Sequence, residues 1–295
     1  MKGCFCVLCM LFCSFVSGQN LIKNPGFEEY YHLPDLIYEF GERYDDSTFI
    51  CKHWHKVRAT TPDYFHINAK NIRYGIPYSS RFGYHPPLTD STYVGLHLLG
   101  LEGATEPITG EFTAPLEAGK TYEISFYYRF ANSASYFYSD KIEAFISTDN
   151  WMKRIRSHLP FYKDIVKKEI AANVIFETPM INDGEWQKMT GYYHAKGGEK
   201  YISFGIFYQN EQFFKIINEY VNKGFDWGRN QHQLEGFFRK YRNDLFIHRN
   251  PYFSTSPDNL SMEVTFETNK GATTYVTKQK LCYYFIDNVS VVEVK

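Results

Sequence analysis

The feature that most constrains this chain is a two-residue alternation of apolar and polar side chains that recurs along much of its length. In Thr121–Arg129, Tyr122, Ile124, Phe126 and Tyr128 fall on one face while Glu123, Ser125 and Arg129 fall on the other. That is the pattern of a strand with one side in a core. It returns in Lys141–Ile146, Tyr201–Phe207 and Met262–Phe266, and the chain closes on Tyr283–Val294, rich in β-branched and aromatic residues. The segments 117–120, 182–184 and 196–198, each containing glycine, punctuate these runs. Strands so spaced, with no helix alternating between them, predict a mainly β fold, an antiparallel sandwich or barrel.

Two stretches depart from that period. Phe213, Ile216, Ile217, Tyr220 and Val221 recur at helical spacing, as do Leu234, Phe237, Phe238, Tyr241 and Leu245. They predict a helical insertion over about residues 210–259 between two sheet strands. A shorter helix is expected over Phe161–Glu169. The basic residues around it, Lys153, Arg154, Arg156, Lys163, Lys167 and Lys168, read as a solvated face. No repeat or linker divides the rest, so residues 19–295 are expected to form one decorated domain.

The N-terminus reads as a signal peptide. Met1-Lys2, an apolar run over Cys4–Val16 and then Ser17-Gly18 predict removal of residues 1–18 and export of the remainder to the periplasm, the cell surface or the medium. The run is shorter than the roughly 20 residues a bilayer span needs, so no membrane span is expected. Of six cysteines only Cys51 and Cys282 remain after residue 18. Outside the cell they either form one disulfide, stabilising by about 4–5 kcal/mol through the long loop it closes, or stay as two buried thiols. The sequence leaves both open.

Charge narrows the function. With 32 Lys+Arg against 33 Asp+Glu the chain is nearly neutral, which excludes nucleic-acid binding driven by counterion release. Catalytic signatures are lacking: there is no GxSxG, P-loop or HExxH motif, and no CxxC pair after residue 18. His53 and His55 would face the same way on a strand and suit a metal, with no third His or Cys close in sequence.

The two ends carry a resemblance. Asn20-Leu21-Ile22-Lys23-Asn24-Pro25-Gly26-Phe27-Glu28 resembles the opening of carbohydrate-binding modules of the family 4 and 9 type, and Phe285-Ile286-Asp287-Asn288-Val289 resembles their closing strand. Thr61-Pro62-Asp63-Tyr64-Phe65, Tyr93-Val94-Gly95-Leu96, Ala114–Tyr122 and Glu177–Trp186 continue the match in order. The combination is similar to exported bacterial surface proteins in which such a module often precedes an OmpA-like or sorting domain; here the chain is expected to stop at the module. The resemblance implies a jelly-roll β-sandwich of the galactose-binding-like type, with first and last strands adjacent. It further implies a structural calcium held by Glu28 and Asp287, with Asn24 or Asn288 adding an amide oxygen. Otherwise Glu28 caps a turn and Asp287 accepts backbone hydrogen bonds.

Sugar binding needs exposed aromatic platforms flanked by polar groups. Trp54, Asp63, Tyr64, Phe65, Arg81 and Tyr84 supply those types in segments expected to be loops, Trp54 and Tyr64 foremost. The expected function is a non-catalytic, exported module binding a polysaccharide or other glycan. One alternative is an envelope or adhesion protein whose insertion grips a protein partner. The other is a lyase or hydrolase on the same scaffold, with Tyr64, His66 or Arg81 moving protons.

Overall fold

The protein is described by a computed structural model. It covers residues 18–34, 50–57, 60–79, 82–99, 105–132, 135, 137–154, 170–207, 240, 247–249, 261–268, 271–278 and 282–294. Two antiparallel sheets face each other. One has four strands, in the order β1 (Trp54–Lys56), β6 (Ile108–Glu111), β12 (Tyr201–Gly205), β9 (Glu143–Ser147). The other has six: β10 (Ile175–Phe176), β11 (Gln187–His194), β7 (Thr121–Phe130), β16 (Cys282–Glu293), β5 (Thr92–Leu99), β2 (Asp63–His66). The fold is the expected antiparallel jelly-roll β-sandwich.

Alternation decides which side chains enter the core. On β7 the expected set, Tyr122, Ile124, Phe126 and Tyr128, is buried, together with Phe130. Phe126 meets Phe204 of the opposite sheet at 4.8 Å and Trp54 meets Phe204 at 6.4 Å, so an aromatic layer fills the gap between sheets. The expected turns form at Gly119, Gly184 and the Gly197-Gly198 pair. All four have positive φ, which only glycine adopts without strain.

The beginning and end of the described chain lie side by side. Asn20 Oδ1 accepts from Val291 N at 2.9 Å, Leu21 N donates to Val291 O at 2.8 Å, and Val289 N donates to Pro25 O at 2.9 Å. The opening segment therefore runs beside β16, as the resemblance implied.

The outer face of the six-stranded sheet holds a second apolar cluster: Phe65, Ile76, Phe82, Tyr93, Ala131, Tyr283 and Phe285. A small hairpin, β3 (Tyr78–Ser79) with β4 (Gly83–Tyr84), roofs it. Phe82, within this hairpin, stacks on Tyr283 at 4.4 Å. Roofing gives β2 a sequence that reads as a loop. Asp63, Tyr64, Phe65 and His66 are all buried, so the strand is covered on both faces and shows no polar alternation.

Residues 1–17 of the expected signal peptide 1–18, the expected Phe161–Glu169 helix and nearly all of the expected 210–259 insertion fall outside the described residues. Within that last span Ile247–Arg249 is not helical: it forms strand β13, paired with β8 (Phe137–Ser139). Strands β14 (Ser261–Thr268) and β15 (Gly271–Lys278) form a hairpin that includes the expected Met262–Phe266 strand. Among the described residues no helix is long and apolar enough to cross a membrane. Cys51 and Cys282 are both buried free thiols, so of the two states left open the structure has the unpaired one.

Candidate functional site

Where the opening segment meets β16, Glu28 and Asp287 converge around Gly26. A Cβ placed on Gly26 would stand 3.2 Å from Asn288 Oδ1, 3.9 Å from Asp287 Oδ1 and 4.0 Å from Glu28 Cγ. Glu28 Oε1 accepts from Ser91 N and from Thr92 Oγ1, each at 2.9 Å. Asp287 Oδ1 accepts from Asn288 N at 2.7 Å, while Asp287 Oδ2 is buried with no hydrogen-bond partner. Burial, with the charges of Glu28 and Asp90 adding, pushes the Asp287 carboxyl up to about 8 against the bond from Asn288 N–H.

An orphaned carboxylate oxygen beside a second carboxylate and an open amide oxygen fits a hard cation. Among the described residues no three His, Cys, Asp or Glu side chains gather closely enough to hold a metal, so such an ion would draw its other ligands from backbone and amide oxygens. Asn24 is not one of them. Its Oδ1 accepts from Glu29 N, and its Nδ2 donates to Glu29 O, Lys52 O and Cys51 Sγ. The amide ties its own loop to the 51–52 segment and is used up doing so. Of the two expected amides, Asn288 is the one at this corner: its Nδ2 bonds Thr89 Oγ1 while its Oδ1 faces Gly26.

The aromatic candidates separate by exposure. Trp54 lies in β1, 1 % exposed, its Nε1 bonded to Asn24 O and its ring 4.6 Å from Phe27. Tyr64 is equally buried, with its hydroxyl on Phe27 O. Phe65 belongs to the roofed cluster, and Asp63 accepts from Tyr283 Oη at 2.5 Å. These four are therefore packing residues and present no platform to a sugar. Their burial has a plain cause, since large rings gain most by leaving water. Of the proton-transfer candidates, His66 is buried with Nδ1 accepting from Asn68 N, and burial holds it below the ordinary imidazole range. Arg81 lies outside the described residues.

Tyr84 is different. It is 54 % exposed and sits opposite Tyr78, 72 % exposed, across the hairpin. Their centroids are 4.9 Å apart and their planes inclined by 58°. The hairpin beneath them is braced: Ser79 Oγ donates to Arg73 O, Phe82 N donates to Ser79 Oγ, and His85 N donates to Pro77 O. Two wet rings thus stand on a fixed base. Tyr78 carried the signal that marked Tyr84, an aromatic in a Gly/Pro-rich segment, and sequence alone did not distinguish it from its many buried counterparts.

His53 and His55 do find a third group. Glu111 on β6 accepts from His55 Nε2 at 2.9 Å, with His53 Nδ1 at 3.5 Å and Lys23 Nζ at 3.1 Å. Burial pushes the Glu111 carboxyl up, but the hydrogen bonds and charges of His55 and Lys23 outweigh it and hold it at about 2. With Lys23 on the same oxygen as His53, this is an ion-pair network fastening the opening segment to β1 and β6.

No protein-family model matches the chain, and no curated protein sequence matches it. Solved structures with a similar fold include the CBM22-1 xylan-binding domain of Xyn10C from Paenibacillus barcinonensis, at 10 % identity and a TM-score of 0.35, covering 85 % of this chain and 91 % of that one. Another is the K1 cleaved adhesin domain of Lys-gingipain from Porphyromonas gingivalis W83, at 11 % identity and a TM-score of 0.30, covering 84 % and 95 %. At such scores these likenesses carry no argument about ligand or partner.

Proposed function

We propose that the protein is an exported, non-catalytic glycan-binding module whose platform is the Tyr78–Tyr84 pair. The observation that carries this is the pair itself: two rings exposed by more than half, side by side on a hairpin braced from below. Sugar rings stack their C–H faces on such surfaces, and a rigid base avoids the entropy of ordering the rings on binding. The N-terminal apolar run supports export. The corner at Glu28 and Asp287 is assigned to a structural calcium, which would neutralise the two carboxylates and pin the opening segment to β16. The free oxygen of Asp287 supports that assignment.

Affinity electrophoresis and calorimetry against a panel of neutral polysaccharides test the reading. The wild type is expected to bind at least one of them. Tyr78→Ala with Tyr84→Ala is expected to weaken that binding by about tenfold or more with the circular dichroism spectrum unchanged, because neither ring is part of the core. Binding that survives the double substitution, or an absence of binding across the panel, overturns it.

A further inference from the structure

Where the roof ends on the outer face of the six-stranded sheet lies a buried guanidinium whose Nε finds no acceptor in the protein. Arg129 on β7 lies opposite Phe285 of β16 and is 7 % exposed. Its Nε is buried with no hydrogen-bond partner. The carboxylate in ion-pair range, on the exposed Glu185, stands 3.9 Å from Nη2, beyond hydrogen-bond reach. A guanidinium N–H taken from water without an acceptor is costly, and the group's planar fork matches a carboxylate.

The surface leading away from Arg129 has a definite chemistry. Two residues along β7 on the same face is the half-buried Tyr127, between the exposed Lys188 of β11 and the buried Asp287 of β16. The next row sets Thr190, Ser125 and Ser290 side by side across three strands. Beyond it Tyr192, 41 % exposed, stands between Ile175 and the half-buried Glu123 of β7. A track of guanidinium, ring with ammonium, hydroxyls and then a ring beside the Glu123 carboxylate confines the anion anchor to the Arg129 end and follows it with stacking and hydrogen-bonding surface. That order suits a sugar carrying a carboxylate better than a free ion, which has no use for the rings.

We propose that this open half-face binds glycans containing uronic acid, with the uronate carboxylate on Arg129 and neighbouring sugars over Tyr127 and Tyr192. The site shares no residue with the tyrosine hairpin, so it stands or falls separately from the neutral-glycan platform.

The test is calorimetry with oligomers of galacturonate and of guluronate, neutral galacto-oligosaccharides of the same length, a glutamate-rich peptide and sodium acetate. The acidic oligosaccharides are expected to bind about tenfold tighter than the neutral ones, and the difference should shrink with added salt. Arg129→Gln is expected to abolish that difference and Arg129→Lys to retain part of it. Lys188→Gln, on the surface and harmless to folding, should weaken only the acidic ligands, by about threefold. The Tyr78→Ala, Tyr84→Ala protein should bind the acidic oligosaccharides as the wild type does. Equal binding of acidic and neutral oligosaccharides, no binding of either uronate oligomer, or wild-type behaviour of both Arg129→Gln and Lys188→Gln overturns the proposal. So does a peptide or acetate that binds as tightly as the sugars.

Discussion

Tyr283 of β16 reaches over β5 to donate its hydroxyl to the Asp63 carboxylate of β2 at 2.5 Å, and the ring passes directly above Gly95. Gly95 pairs with Phe285 on one side and Asp63 on the other, so the bond spans three strands under the hairpin roof. A Cβ at position 95 would overlap the Tyr283 hydroxyl and ring. Gly95→Ala must therefore displace a fully buried tyrosine, and is expected to cost about 2–3 kcal/mol by overpacking. Tyr283→Phe keeps the ring but removes a bond to a buried carboxylate, at about 1.5–3 kcal/mol. Urea midpoints at a constant slope measure both. A Gly95→Ala protein as stable as wild type would mean the ring does not cross there.

The same burial makes the protein sensitive to alkali. Tyr64, Tyr93, Tyr283 and Tyr284 all have phenols raised above their ordinary value, in each case mainly by burial. A group whose folded pKa exceeds its unfolded value contributes stability that is complete below the unfolded pKa and is lost as pH rises past it. Unfolded tyrosine titrates near about 10. Stability is therefore expected to be level through neutral pH and to fall steeply above about 10. In a spectrophotometric titration these phenols should ionise together with the loss of the β-sheet circular dichroism signal. Phenols that titrate while the sheet signal persists would contradict the burial.

How much of this was legible from the sequence depended on which faces each strand buries. β7 alternates cleanly because its outer face stays partly polar at Glu123 and Ser125, so its core set was readable residue by residue. β2 does not alternate, because a hairpin far simpler to see in space than in sequence covers its second face. Asp63, Tyr64 and Phe65 consequently read as a loop rich in ligand types. Trp54 failed in the same way: a tryptophan near polar neighbours looks like a platform until β6 is placed beside it with a glycine, Gly110, under its ring. The meeting of Glu28 with Asp287 followed from the order of the first and last segments. Which of the two amides faces the corner did not, because it turned on whether Asn24 had already spent its hydrogen bonds locally. Arg129 gave no warning at all. On a strand it reads as an ordinary outward charge, and only the roof and Phe285 make it a buried one.

The corner at Glu28 and Asp287 makes a thermal prediction. Without a cation, Asp287 must either ionise in a buried place beside Glu28 or hold a proton. A bound calcium removes that conflict and links the opening segment to β16. Adding calcium to chelator-treated protein at a fixed neutral pH is expected to raise the melting temperature. At a hundred times the dissociation constant the gain is about 2.7 kcal/mol. Asp287→Asn, which keeps the shape and removes the charge, should eliminate the calcium response. An unchanged melting temperature in millimolar calcium would sink the metal assignment and leave Glu28 as a turn cap for Ser91 and Thr92.

Glu111 makes the complementary prediction in acid. Its carboxylate gathers Lys23 from the opening segment and His55 from β1, and hydrogen bonds from both outweigh burial to hold it at about 2. A depressed folded pKa contributes stability that is present above the unfolded value, about 4.3, and lost as pH falls through the folded one. Glu111→Gln is therefore expected to be destabilising at pH 6, and the gap between variant and wild type should narrow as pH falls from about 4 towards 2. Because the site is partly open to water, salt should reduce the gap at pH 6 as well. Tm measured from pH 2 to pH 7 at low and high salt follows the sign directly. The opposite slope, with the variant gaining its disadvantage only in acid, would mean that burial rather than pairing governs Glu111, and that the opening segment is fastened by its other hydrogen bonds and not by this ion pair.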